Sequence, residues 1–540
     1  MGLALALRLL AAALRPVWVD EAASAIFTAG NSSWSTPINA LASLPQFSTS
    51  LQLHPGTSLL EALRHLQQED NHPPLHFGVA FVLARLLQPD QALLQPLVAR
   101  LPAIVLGSLS VPLLHGAVHA VTGQRRAARI AAALAAVSPL AVAFGSEARH
   151  YALATSLVCA ALWAMAAAWQ HQQRGAAIPL RLQAGWLAMN GLGVLTHHLF
   201  VLCIAAQLLT LALLRGPRSL LRTPLLSLLL SAVLLRLLGS GGAMDQTAWL
   251  QLDPHQPIQV LLIPLQMLAT ALSGVLAPGT SLSAAWQWPL LVLAGLGTLV
   301  GAIALLQLGR QTRNLPPLLL SFCLCSMAML LLASLATGKD LSRALRYGFL
   351  YLPGVLALVA CSADQALARL SPLPLRLLLA CSLCCSLGVA AGVALPASYN
   401  PTSLLDLIGK TARAPVVLAF NERPVTQGRP LIGYEGLSIA WQLGHDPARQ
   451  QALVRQGQAP QLLLLLSDGQ GPPAGLQSLA SRRDPYELWI VNAHGTTALT
   501  PPSSCRLLSY GSAGGHLHIR YRCEPSPQRP LRQSPPRVSP

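Results

Sequence analysis

The sequence predicts an all-α polytopic membrane domain followed by a small α/β domain outside the membrane. Three observations carry that expectation. First, 53% of the 540 residues are hydrophobic and 10% are charged, with a mean hydropathy of +0.50. Soluble globular domains carry about 25% charged residues, so an ordinary soluble enzyme is excluded. So is a disordered chain, because there is too much Leu and Ala to stay solvated. Second, apolar runs near the bilayer-crossing length of about 17–25 residues recur up to residue 396. Third, the pattern changes after residue 396, where short β-like runs alternate with polar helix-like segments.

Taken in order, the spans fall near 101–121, 128–145, 151–170, 184–197, 199–214, 223–239, 289–308, 315–336, 347–363 and 374–395. Residues 2–14 are apolar but few, and Arg8 interrupts them. A tilted short helix with Arg8 snorkelling to the cytoplasmic side and a start lying further upstream are both open readings. A cleaved signal peptide fits less well, because no charged segment precedes the apolar run. Counting this helix gives about 11 transmembrane helices. Short runs at 57–68, 73–87 and 258–277 are expected to lie at the outer interface.

The net charge is +17, and only Lys339 and Lys410 are lysines. The arginines cluster in connectors at 125–129, 174–181, 215–222, 310–313 and 369–376. That placement follows the positive-inside rule and puts the other connectors outside, including a first outer loop at about 15–100. It also accounts for the basic charge without nucleic acid, and no nucleic-acid partner is expected. The transmembrane domain is therefore 1–396, the extracytoplasmic α/β domain 397–525, and the Pro-, Arg- and Ser-rich tail 526–540 is expected to be disordered. Strands are expected at Pro415–Phe420, Gln461–Leu466, Glu487–Val491 and His516–Tyr521, and helices at Ser403–Ala412 and Pro447–Gln456. Eight of the ten cysteines lie in or beside apolar runs, where they pack. Cys505 and Cys523 instead flank a Gly-rich turn, so either a hairpin closed by one disulfide or two unpaired thiols is expected there.

Four places could carry chemistry, because charges near a bilayer are costly and those that are not simple anchors mark function. Asp20 and Glu21 sit where the first helix emerges. One reading is a carboxylate that takes a proton from an incoming nucleophile, and the other is an N-cap on a helix over Ala22–Ala29. His72 is followed by Pro73-Pro74, which hold it at the mouth of an apolar segment. It would bind a phosphate oxygen or a metal, or simply lie at the interface. Glu147 and Arg149 occupy a very short connector, either paired at the surface or pressed onto the protein beneath. Arg343 and Arg346 violate the charge rule on the outer face, as interface anchors or as ligands for an anion. Carboxylates, a His and several Arg on one face suit an enzyme with a lipid-linked phosphate leaving group.

These residues sit in motifs that resemble a known family. Trp18-Val19-Asp20-Glu21-Ala22 is similar to the W-x-D-E-A signature of membrane glycosyltransferases of the GT-C fold. His72-Pro73-Pro74-Leu75 resembles their H-P-P-L motif, and Arg100-Leu101-Pro102 with Gly107 resembles R-x-P-S-x-x-x-G, with Ala103 in place of Ser. Ser146-Glu147-Ala148-Arg149-His150-Tyr151-Ala152 resembles S-Q-E-A-R-x-Y-A without its Gln. Thr196-His197-His198 resembles T-H-Y, and Arg346-Tyr347 with Pro353 resembles a late R-Y…P motif. The order matches the glycosyltransferase family 39-like set, related to protein O-mannosyltransferases and the aminoarabinose transferase of lipid A.

The resemblance implies an integral inner (plasma) membrane enzyme of the cell envelope, with active site and C-terminal domain on the extracytoplasmic side. It would move a sugar from a polyprenyl-phosphate donor to a hydroxyl of a lipid, polysaccharide or protein acceptor, with inversion and without metal or other cofactor. In that scheme Asp20 is the general base and Glu21 supports it. His72, Arg149, Arg343 and Arg346 lie near the donor phosphate, and Glu147 belongs to the second outer loop facing the first. Two rivals remain: a transporter or flippase of lipid-linked sugars, and a non-catalytic envelope assembly protein.

Overall fold

The computed structural model describes residues 1–54, 56–88, 90, 92–238, 247–277, 315–367, 371–395, 399–422, 432–466, 474–491 and 501–524. The expected span at 289–308 and the tail at 526–540 lie outside the described residues. The chain divides into two compact units. The first holds 1–32, 51–397 and 427–431, and the second holds 33–50, 398–426 and 432–540. Residues 33–50, which the sequence reading leaves in the first outer loop, thus count with the α/β unit.

The first unit is helical. Among the described residues five helices are long and apolar enough to cross a bilayer: Pro96–Thr122, Tyr151–Gln173, Arg218–Leu237, Pro317–Thr337 and Leu373–Ala390. Two bent pairs raise the number to 7 if each is one span. The expected span at 128–145 is one of them, bent by 54° between Arg125–Val137 and Pro139–Gly145. Pro139 cannot donate to the preceding turn, and Ser138 Oγ restarts the helix by accepting from Ala141 N at 3.3 Å. The expected spans at 184–197 and 199–214 are the helices Leu180–Thr196 and Phe200–Leu213, of 17 and 14 residues. The interfacial runs appear as helices at Leu59–Glu69, Leu75–Leu87 and Ile258–Ser273.

The N-terminal pair sets the geometry of the site. Gly2–Leu14 and Val19–Ala29 meet at 99°, with Pro16 in the corner. Thirteen residues rise about 20 Å, short of the ~30 Å hydrocarbon core, so Gly2–Leu14 does not cross a bilayer as an upright helix. Arg8 does not snorkel as expected. It is 1% exposed, donates from Nη1 to Ala4 O at 3.1 Å, and packs where a Cβ on Gly145 would stand 2.5 Å from its side chain. The helix Val19–Ala29 ends at Gly30, whose φ of 88° few other residues adopt without strain.

The second unit is a six-stranded mixed sheet. Its strands are β1 (Leu41–Ala42), β2 (Val416–Glu422), β3 (Gln461–Leu466), β4 (Tyr486–Val491), β5 (Cys505–Ala513) and β6 (His516–Cys523). Their order is β1-β3-β2-β4-β6-β5, with β2 parallel to both β3 and β4 and the remaining pairs antiparallel. The central strands read as continuous apolar runs, which is what burial on both faces requires. Cys505 and Cys523 are disulfide-bonded across the β5–β6 hairpin. Helices at Pro401–Thr411, Tyr434–Gly444, Pro447–Ala452 and Ala474–Leu479 complete this unit.

Candidate active site

The site is built where the helix Val19–Ala29 leaves its corner. Its N-cap position is Trp18 and no side chain caps it. Asp20 therefore lies inside the first turn, which sets aside the reading of Asp20 as a cap. One carboxylate oxygen of Asp20 is ion-paired with Arg346, and Arg149 Nη2 stands 3.9 Å from the same oxygen. Arg149 Nη1 donates to Asp20 O at 3.1 Å and to Ser24 Oγ at 2.8 Å. Ser24, one turn on, shares the face of Asp20. Burial alone would raise the Asp20 carboxyl, but the Arg346 and Arg149 guanidinium groups outweigh it and hold it below the ordinary carboxylate range.

His72 joins the same cluster. Arg149 Nη2 contacts His72 Nε2 at 3.2 Å, and His72 Nδ1 contacts Asp70 Oδ1 at 2.5 Å. A guanidinium only donates, so Nε2 accepts and Nδ1–H donates to Asp70. This tautomer follows from the network. Burial would raise the Asp70 carboxyl, but the His72 contact, Arg149 and the Asn71 N–H lower it to about 2. His198 Nε2 lies 2.5 Å from Asn71 O, fixing the turn from behind.

Histidine rings surround the cluster. His150 is fully buried, with ring centroids 4.8 Å from His72 and 4.9 Å from His197. Burial, then the neighbouring His and Arg, pushes His150 well below its ordinary value. The rings are tilted against one another, at 57° and 48° for these two pairs, and among the described residues no group of three or more His, Cys, Asp or Glu is arranged to hold a metal ion.

Glu21 and Glu147 do a different job. Glu21 is fully buried and accepts from Arg100 Nε and Nη2, each at 2.7 Å, and from Ala148 N at 2.8 Å. Arg100 also donates to Ala12 O at 2.6 Å, Arg15 O at 2.9 Å and Pro16 O at 3.0 Å. The Glu21–Arg100 pair thus ties the end of the first helix, the start of the second and the connector at 146–150 together. Glu147 pairs with Arg15 at 3.1 Å, and Arg15 Nη1 donates to Ser146 Oγ at 3.0 Å. Burial and the nearby Glu21 and Asp20 outweigh Arg15 and Arg100 and raise the Glu147 carboxyl.

Of the expected residues, the structure brings together Asp20, His72, Arg149 and Arg346. It leaves Arg343 apart. Two 3-10 turns, Leu341–Arg343 and Leu345–Leu350, are separated at Ala344, whose backbone is extended. The break turns Arg343 away: its side chain is exposed and makes no ion pair or hydrogen bond among the described residues. Asp70, Arg100 and His150 are members of the cluster or its frame that the sequence reading did not assign.

The site has more donors than acceptors. Trp18 Nε1, Arg149 Nε and Arg346 Nε are buried without a hydrogen-bond partner, as are both ring nitrogens of His150. The unpaired Nε–H groups of Arg149 and Arg346 belong to the two guanidinium groups that hold Asp20, which leaves donor capacity there for an anion.

Residues 71–239 match the family model described as dolichyl-phosphate-mannose-protein mannosyltransferase. The chain thus resembles GT-C membrane glycosyltransferases, and four of the six motifs lie wholly within that stretch. Asp20 and Arg346 lie outside it. Among solved structures the chain is similar to ArnT from Cupriavidus metallidurans bound to undecaprenyl phosphate, at 14% identity over 96% of each chain with a TM-score of 0.49. It is also similar to the oligosaccharyltransferase AglB from Archaeoglobus fulgidus in complex with an inhibitory peptide and a dolichol-phosphate, at 14% identity over 76% of this chain and 58% of that one, with a TM-score of 0.38. No protein of curated function matches the chain.

Proposed function

We propose that the chain is an integral membrane glycosyltransferase that moves a sugar from a polyprenyl-phosphate donor to an acceptor hydroxyl. The observation that carries this reading is the pair of guanidinium groups on one carboxylate, Asp20: Arg149 and Arg346 each keep a buried Nε–H without a hydrogen-bond partner. The family match over residues 71–239, whose name specifies a lipid-phosphate sugar donor, supports the choice of substrate. The disulfide between Cys505 and Cys523 supports an oxidising, extracytoplasmic compartment for the α/β unit.

In this reaction Asp20 takes the proton of the acceptor hydroxyl and the oxygen bonds to C1 of the sugar. The bond from C1 to the phosphate oxygen breaks, and polyprenyl phosphate leaves with the electron pair from the opposite face, inverting C1. Arg346 and Arg149 stabilise the leaving phosphate, and His72 holds Arg149 through Nε2. With no donor bound, Arg346 neutralises Asp20 and makes it a poor base. A donor phosphate competes with Asp20 for that guanidinium, so donor binding frees the carboxylate when the base is needed. Arg343 holds no donor in this reading, and Glu21 and Glu147 shape the loops.

The test compares wild type with Asp20→Asn, by turnover and by mass spectrometry of lipids retained in gently purified protein. Loss of a general base should lower turnover by about 10²–10⁴-fold, while the variant retains a polyprenyl phosphate sugar that the wild type has discharged. Equal intact donor in both, with unchanged transport of it, would indicate carriage instead of transfer.

A further inference from the structure

We infer that Trp249 is a stacking platform for the sugar ring of the donor, an inference that rests on the phosphate site proposed above. Trp249 sits in the 3-10 turn Ala248–Leu250 and is 51% exposed, whereas the adjacent Leu250 is fully buried. An indole left half-exposed on a hydrogen-bonded turn presents an aromatic face that a ligand can cover. The turn is rigid because it pairs with the segment after Pro317–Thr337. Gln251 bridges Lys339, Leu252 N donates to Gly338 O at 2.9 Å, and Asp340 N donates to Leu250 O at 2.7 Å. Lys339 Nζ donates to Thr247 Oγ1 at 2.7 Å.

The second observation places this indole at the site. The Arg346 guanidinium lies 5.9 Å from the Trp249 ring centre and 5.9 Å from the Tyr151 ring centre. The same guanidinium holds Asp20. A phosphate on Arg346 therefore stands beside Trp249. A donor sugar is joined to that phosphate through a single oxygen, so its ring cannot lie far from the indole. The C–H face of a pyranose or furanose packs on an aromatic face as an apolar surface, and its hydroxyls stay at the edges for polar groups. Trp249 is thus the residue that recognises a ring of carbohydrate, where Arg346 recognises only charge.

The experiment uses the full chain in nanodiscs. The ligands are undecaprenyl phosphate alone and undecaprenyl phosphate carrying glucose, mannose, galacturonic acid or an aminopentose. The wild type should bind at least one sugar lipid more tightly than the bare lipid. Trp249→Ala should weaken that sugar lipid about fivefold to tenfold and leave bare undecaprenyl phosphate unchanged, and Trp249→Phe should retain most of the affinity. The unchanged bare-lipid affinity also reports that Trp249→Ala is folded. The inference is overturned if no sugar lipid outbinds the bare one, if Trp249→Ala weakens both or neither, or if its defect is confined to use of the acceptor. The last two cases include an indole that merely anchors at the membrane interface. Arg346→Ala separates this from the underlying reading. If it leaves bare-lipid affinity intact, the phosphate site fails, whereas Trp249 can fail while Arg346 still holds phosphate.

Discussion

Glu21→Gln tests whether the second carboxylate of the acidic pair acts in the chemistry or in the frame. In the folded protein Glu21 meets Arg100 at two 2.7 Å contacts and takes the Ala148 N–H at 2.8 Å. Both side chains are almost fully buried. Replacing the carboxylate by an amide leaves a buried guanidinium without its counter-charge, a change that costs about 3–5 kcal/mol. Arg100 keeps its contacts with the carbonyls of Ala12, Arg15 and Pro16, which places the loss near the lower figure. About 3 kcal/mol is roughly a hundredfold change in the folded-to-unfolded ratio. The assay is SDS-titrated unfolding of the full chain, alongside turnover normalised to the folded fraction. The expected result is a large fall in the unfolding midpoint with activity per folded molecule nearly retained. A variant of normal stability and no turnover would refute the reasoning and return Glu21 to the chemistry.

A second variant sharpens the point. Buried ion pairs are often replaced by apolar residues at little cost. Here Glu21→Leu combined with Arg100→Met should not recover, because the carbonyls of Ala12, Arg15 and Pro16 would lose their donor. Each unsatisfied buried acceptor costs about 1–3 kcal/mol. Recovery of wild-type stability by the double variant would show that those carbonyls find other partners.

Two further outcomes follow from the geometry. Asp70 has its carboxyl lowered to about 2, so it contributes stability above its unfolded value near 3.9, and that stability is lost as pH falls from about 4 towards 2. The amount is about 2 kcal/mol, and Asp70→Asn should flatten the acid limb of unfolding followed by intrinsic fluorescence from pH 5 to 2; superimposable curves would sink the assignment. Replacing Cys505 and Cys523 by Ser opens a loop with a sequence separation of 18 and should destabilise the α/β unit by about 3 kcal/mol, read as earlier proteolysis of residues 398–524 in the variant or in reduced wild type.

Much of the architecture is legible in the sequence because burial in a bilayer or in a sheet core imposes long apolar runs. The strands β2, β3 and β4 announce themselves in that way. β1 does not, because Leu41–Ala42 is two residues long and pairs antiparallel with β3, more than 400 residues along the chain. The exposed edge strand β5 carries little apolar periodicity, so it shows in the sequence only through its disulfide and turn. Span length misleads where a proline divides one run into two helices, as at Pro139. Arg8 misleads for another reason: snorkelling is the cheap solution for an isolated helix, and a packed interior with a glycine opposite offers a different one.

The site residues divide along the same line. Motifs of charge and proline mark Asp20, His72, Arg149 and Arg346, since each breaks an apolar context. The roles of Asp20 and Glu21 are harder to separate, because adjacency in sequence invites a shared duty. Helix geometry argues otherwise. Successive residues on a helix point about 100° apart and do not face each other. In the first turn of Val19–Ala29, one carboxylate must therefore turn towards the Arg346 side and the next towards the interior, where Arg100 waits. One side chain is 24% exposed and reaches a site with spare donors, and the other is 0% exposed with every oxygen engaged. In the proposed reaction the same two-residue motif thus divides its duties: Asp20, the less buried carboxylate, is the base, and Glu21, with both oxygens engaged, is the clamp.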